Sequence, residues 1–155
     1  MTAVDRLALE LATLGPVGRM PQAPGTWGSA VALLLAPWLF LPLPLAGRIL
    51  VLAGILALGT WAATRAEAVL GSTDPGCVVI DELLGQWTAF LPFAAPSLWT
   101  LFAAFLLFRA LDIAKPWPIR RLERSLPKGL GVMADDLLAG ALAGGLLFLL
   151  RLAQA

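Results

Sequence analysis

Two pairs of adjacent acids, Asp81-Glu82 and Asp135-Asp136, each open a long apolar run, and a further acid, Asp112, closes another. An ionised carboxylate beside lipid is costly unless it meets a cation or water, so these residues read as a site rather than as scaffold. What the chain lacks narrows the chemistry. It has no histidine, which removes the Ser-His-Asp triad, imidazole general-base catalysis and His-ligated zinc. Carboxylates gathered without nitrogen or thiolate partners point to a hard divalent cation held by oxygen, Mg2+ first among them.

Groups suited to phosphate stand beside the acids. Arg109, Lys115, Arg120 and Arg121 flank the stiff Pro116-Trp117-Pro118 segment, and arginine grips phosphate in a bidentate way. Pro24-Gly25-Thr26-Trp27-Gly28-Ser29 reads as a glycine turn with two hydroxyls ahead of a helix, where free backbone N–H groups attract anions. Each feature has a plainer reading. Acids in a first helical turn cap it, worth about 0.3–1 kcal/mol each. Arg109 and Asp112, three apart on a helix, can pair with each other. Arg124 and Lys128 fit a juxtamembrane cluster touching anionic lipid, and most glycine-hydroxyl loops are N-caps. Capping does not account for two consecutive acids occurring twice. Neighbours on a helix point about 100° apart, so one acid of each pair can cap while the other faces inward. Cys77 is expected to be inert: the C-x5-R pattern of thiolate phosphatases is absent, and no cation near it in sequence lowers its pKa.

The elements that position these residues follow from composition. The chain has 155 residues, 59% hydrophobic and 14% charged, with a mean hydropathy of +0.85. That length predicts a single domain over 1–155. The net charge of +1 comes without a basic stripe, so no nucleic-acid partner is expected. Residues 4–14 have the spacing of a short amphipathic helix lying on a membrane surface. Asp5, Arg6 and Glu10 interrupt it, which argues against a cleaved signal peptide. Apolar runs at about 29–46, 49–64, 83–95, 98–113 and 136–153 predict an all-α membrane bundle of about five hydrophobic helices, though several are short for a core near 30 Å. A break at Ala95-Pro96-Ser97 favours a hairpin over one long helix for 83–113. The hairpin places Arg6, Arg19, Arg65, Lys115, Arg120, Arg121, Arg124 and Lys128 on one side, the cytoplasmic one by the positive-inside rule; Arg48 and Arg151 fall outside it. Gly140-Ala-Leu-Ala-Gly144 offers a small-xxx-small packing face. The six tryptophans fall mostly near segment ends, as an interfacial belt does.

Taken together, four stretches in order resemble the phosphatidylglycerophosphatase A family of bacterial lipid phosphatases. They are Pro24–Ser29; Asp74 with Val79-Ile-Asp-Glu-Leu-Leu-Gly85; Phe108-Arg-Ala-Leu-Asp-Ile-Ala-Lys-Pro-Trp-Pro-Ile-Arg120; and Gly129-Leu-Gly-Val-Met-Ala-Asp-Asp-Leu-Leu-Ala-Gly140. The resemblance implies a Mg2+-dependent, multi-pass hydrolase of the cytoplasmic membrane, its active site facing the cytoplasm. It would convert phosphatidylglycerophosphate in the bilayer to phosphatidylglycerol and phosphate. The family's acidic positions fall on Asp74, Asp81, Glu82, Asp112, Asp135 and Asp136, and its basic ones on Arg109, Lys115 and Arg120.

On this reading Asp74, Asp81, Glu82, Asp135 and Asp136 hold the metal, and Asp112 is a ligand or orients water. Arg109, Lys115 and Arg120 hold the phosphate with help from Thr26. Attack by water and an aspartyl-phosphate both remain open; the missing Asp-x-Asp-x-Thr pattern leans towards water. The competing function is a cation or proton carrier, whose acids would sit mid-span. A passive scaffold would tolerate acid-to-amide changes. A topology reporter inserted between Lys115 and Lys128 should score as cytoplasmic; a score on the far side would split the proposed site across the membrane.

Overall fold

The computed structural model describes residues 1–154, which form α-helices and no strand. In chain order these are α1 (Ala3–Ala12), α2 (Pro24–Leu39), α3 (Leu45–Leu70), α4 (Ile80–Phe90), α5 (Leu98–Ala114), α6 (Ile119–Ser125) and α7 (Lys128–Leu152). Five of them alternate in direction. The start of α2 lies beside the start of α4, where a Cβ on Gly25 would collide with the Glu82 carboxyl. Arg48, near the start of α3, bonds carbonyls after α2 and after α4 at the opposite end. The C-terminal turns of α3 and the start of α7 meet at a cavity shared by Glu67 and Lys128. Helices α2, α4 and α7 thus run one way, and α3 and α5 the other.

Every apolar run becomes a helix, with shifted ends. Pro24 occupies the first turn of α2, a position that needs no N–H donor. The expected glycine-hydroxyl loop is therefore already helical, and the segment is no phosphate-cradling loop. Likewise α7 begins at Lys128, so Gly129 and Gly131 are helical. Their missing side chains make room for the α3 backbone at Thr64 and for the Glu123 carbonyl. The break at 95–97 is real: Ser97 caps α5 by accepting from the Thr100 N–H.

The expectation of five membrane helices is corrected in part. Only α3 and α7 among the described residues are long and apolar enough to cross a membrane. At about 1.5 Å per residue, the 11 residues of α4 fall well short of the hydrocarbon thickness. This helix is instead the centre of the bundle, buried from Leu84 to Phe90 and flanked by α2, α3, α5 and α7. Large apolar side chains cover the outside, among them Leu34, Trp38, Leu50, Leu98, Trp99 and Leu149. A surface of that kind suits lipid rather than water.

The tightest seam joins α4 to α7. A Cβ on Gly140 would collide with the Gly85 carbonyl, and one on Gly144 would lie 2.6 Å from the carbonyl of Ala89. The small-xxx-small face is thus used for helix packing. Gly140→Ala should destabilise the protein by about 1–3 kcal/mol through overpacking, read as a lowered unfolding midpoint in detergent. Gly145→Ala is the control: its Cβ would meet nothing among the described residues within 4 Å, and it should be neutral or stabilising by up to about 1 kcal/mol.

Candidate active site

The α4–α7 seam continues upward into the acids. On α4, Asp81, Gly85 and Ala89 occupy one four-residue row, and on α7 Asp136, Gly140 and Gly144 occupy the matching row. Residues four apart share a helix face. The register that sets Gly140 on Gly85 and Gly144 on Ala89 therefore sets Asp136 against Asp81. Asp81 and Glu82 lie in the first turn of α4. Asp135 and Asp136 lie about two turns inside α7, because that helix begins at Lys128. Helix capping, the plainer account of an acid pair, does not apply to Asp135 and Asp136.

Asp81, Glu82 and Asp136 each offer a carboxylate oxygen, and these oxygens lie within 4.8 Å of one another. All three residues are buried. Asp81 Oδ1, Glu82 Oε2 and Asp136 Oδ2 have no hydrogen-bond partner among the described residues. Converging anionic oxygens that are buried and unpartnered are unstable unless something positive lies between them. Oxygen ligands alone suit a hard divalent cation, and these residues fit one. The pocket they line measures about 250 Å3 and also includes Asp74, Asp112, Lys115 and Asp135.

The remaining predicted residues divide by what they touch. Arg109 Nη1 donates to Asp112 Oδ2 at 2.5 Å and lies 3.6 Å from Glu82 Oε1, while Nη2 reaches Thr26 Oγ1 at 3.4 Å. The pairing of Arg109 with Asp112 anticipated from their spacing is present, and Thr26 meets the arginine rather than the pocket. Lys115 Nζ donates to Asp135 Oδ2 at 2.5 Å and pairs with Glu123 Oε1 at 3.0 Å. Burial disfavours its charge, but the two carboxylates outweigh that and raise its pKa above the ordinary lysine value. Asp135 also accepts the Asp136 N–H at 2.9 Å, so both its oxygens are taken. Asp74 is exposed as a residue but lines the pocket, and desolvation there raises its carboxyl pKa despite the opposing pull of Lys115. Arg120 stands outside the pocket, in an adjoining groove that shares Lys115.

Two residues escaped the sequence reading. Glu123, the second partner of Lys115, lies on the short α6 with no pattern to single it out. Gln86 is fully buried with both amide atoms unpartnered; an amide one turn after Glu82 within an apolar helix was the available signal.

An all-helical protein with a carboxylate-lined pocket beside an arginine-bearing groove has the parts of a phosphoric-monoester hydrolase. The family model for Phosphatidylglycerophosphatase A matches residues 10–151. The chain belongs to that family. It is 34% identical over 134 residues to "Phosphatidylglycerophosphatase A" of Escherichia coli K12, covering 84% of this chain and 76% of that protein. It is 36% identical over 126 residues to the protein of the same name in Haemophilus influenzae, covering 81% and 77% respectively. A Bacteroides thetaiotaomicron protein named "Putative phosphatidylinositol-3-phosphatase" is 40% identical over 131 residues, covering 79% and 80%. No solved structure matches the chain.

The division of partners generates a ranking. Removing one charge from the three-carboxylate group, by Asp81→Asn, Glu82→Gln or Asp136→Asn, should weaken Mn2+ binding by at least about tenfold in paramagnetic resonance titrations. Asp135→Asn, whose carboxylate is already held by Lys115, should weaken binding less than any of these three changes. Equal losses at all four positions would return Asp135 to the metal site.

Proposed function

We propose that this protein hydrolyses phosphatidylglycerophosphate to phosphatidylglycerol and phosphate, with Mg2+ as its cofactor, at the cytoplasmic face of a bacterial membrane, as a step in phospholipid synthesis. The observation that carries the reading is the convergence of Asp81, Glu82 and Asp136 with unpartnered oxygens in a chain of this family. The gathering of acids at one end of the bundle also favours an enzyme over an ion carrier, whose acids would be strung along the span.

Phosphate-monoester hydrolysis is extremely slow without catalysis, and a divalent cation bound by these carboxylates would supply charge neutralisation for the phosphoryl oxygens. The chain's own residues do the rest. Arg109, fastened by Thr26, holds Glu82 and Asp112 in place, a role in positioning the acids rather than in gripping phosphate. Asp112, fixed on the pocket wall, is placed to orient an attacking water and take its proton. Asp135 anchors Lys115 at the border between pocket and groove, where Lys115 and Arg120 hold the phosphate. Asp74 lines the same pocket from the loop before α4.

The Bacteroides relative favours a second substrate, phosphatidylinositol 3-phosphate. That lipid and phosphatidylglycerophosphate share one design: a terminal phosphomonoester on a headgroup joined to the lipid by a phosphodiester. The test is phosphate release by the purified protein in detergent micelles of each lipid, with Mg2+ and with excess chelator. Release should require the metal, and Asp136→Asn should lower it at least about 100-fold. Release that survives the chelator would overturn the cofactor, and no release from folded protein would overturn the hydrolase.

A further inference from the structure

Beside the acid pocket lies a larger groove of about 560 Å3, walled by Lys115, Trp117, Arg120, Arg121 and Arg124. Its charge is one-sided. Among the described residues no carboxylate lines it, and the acid of α6, Glu123, is turned to Lys115. Among the described residues none of the three arginines makes an ion pair. Lys115 lines both cavities, so groove and pocket share a wall. Lys128, which the sequence groups with these arginines, lies elsewhere, in a cavity with Glu67. Cations that merely touch a bilayer need no concave wall next to the acids. Trp117 is 77% exposed at the rim, as suits an indole at headgroup depth.

The acid pocket deals with a terminal phosphomonoester, and any lipid ending in one presents that group. The groove offers something a one-phosphate lipid has no use for: two guanidinium groups, Arg121 and Arg124, beyond the Lys115 and Arg120 already given to the scissile phosphate. We propose that Arg121 and Arg124, beside Trp117, seat the second, non-scissile phosphate of the substrate, the diester that links headgroup to diacylglycerol. The subsite selects lipids bearing a phosphomonoester beyond a phosphodiester. This rests on the reading of the neighbouring pocket as the hydrolytic site. Guanidinium suits a diester anion, since it pairs two N–H donors with two phosphate oxygens.

The test compares the full-length protein with the double variant Arg121→Gln, Arg124→Gln in micelles of uncharged detergent with Mg2+. The substrates are phosphatidylglycerophosphate, with two phosphates, and phosphatidate, with one. The ratio of kcat/KM for the first lipid over the second should fall about tenfold in the variant, chiefly through KM. The Arg121→Lys, Arg124→Lys variant should recover part of it. An equal loss on both lipids, or no loss, would overturn the subsite while leaving the hydrolase intact. If the unmodified protein released phosphate from neither lipid, the hydrolytic reading would fall, and the groove would be judged by binding. Micelles carrying phosphatidylglycerol, which has the diester alone, should then be bound at least about fivefold more weakly by the double variant; equal binding would overturn the subsite.

Discussion

The contact of α4 with α7 governs the rest of the molecule. Gly85 meets Gly140 and Ala89 meets Gly144 at distances that exclude a methyl group, so two helix backbones run side by side in a fixed register. One turn further along the same rows, that register brings Asp81 and Asp136 together. A side chain at either glycine would push the helices apart and open the carboxylate cluster. The helix α4 can accept this contact because all but Leu83 of its residues are buried between the neighbouring helices.

Placing acids at the head of such a seam carries an electrostatic cost, and the chain meets it unevenly. Buried charges cost several kcal/mol each unless paired. Arg109 answers Asp112 and part of Glu82, and Lys115 answers Asp135 and Glu123. Among the described residues, Asp81 and Asp136 receive no cation. The negative charge left uncompensated is therefore concentrated where the oxygens converge, which is the condition for holding an external cation. The basic residues thus divide: Arg109 and Lys115 pair with carboxylates, while among the described residues the three arginines of the groove make no ion pair.

The opposite end of the bundle is built for stability. Arg48 is buried, yet it donates to the carbonyls of Leu41, Leu43, Phe93 and Ala94 and lies over the Phe40 ring. It satisfies carbonyls in two turns at once, those after α2 and after α4. Arg151 stacks over Phe93 beside the same turn. These are the two arginines that did not fit the one-sided charge pattern, and both belong to this end. The charge asymmetry along the sequence therefore reflects a difference of task between the bundle's ends.

The sequence by itself determined the helical class, the apolar runs, the proline-serine break before α5 and the acids and bases of the motifs; it offered the pairing of Arg109 with Asp112 only as one of two readings. These are local or compositional properties, legible because hydropathy, turn residues and short-range spacing act within a few residues. The four-residue rows at Asp81 and Asp136 were also present in the letters, but nothing in them says that the two rows face each other. Tertiary structure decided which acids converge, that Asp135 is bound to Lys115 instead of joining them, that Thr26 sits on a helix, and that Arg120 stands in the groove. It also decided that α4 is a central core helix rather than a span of its own. Those outcomes depend on backbone approach between helices far apart in sequence, and that distance is set by which side chains are missing at the crossing.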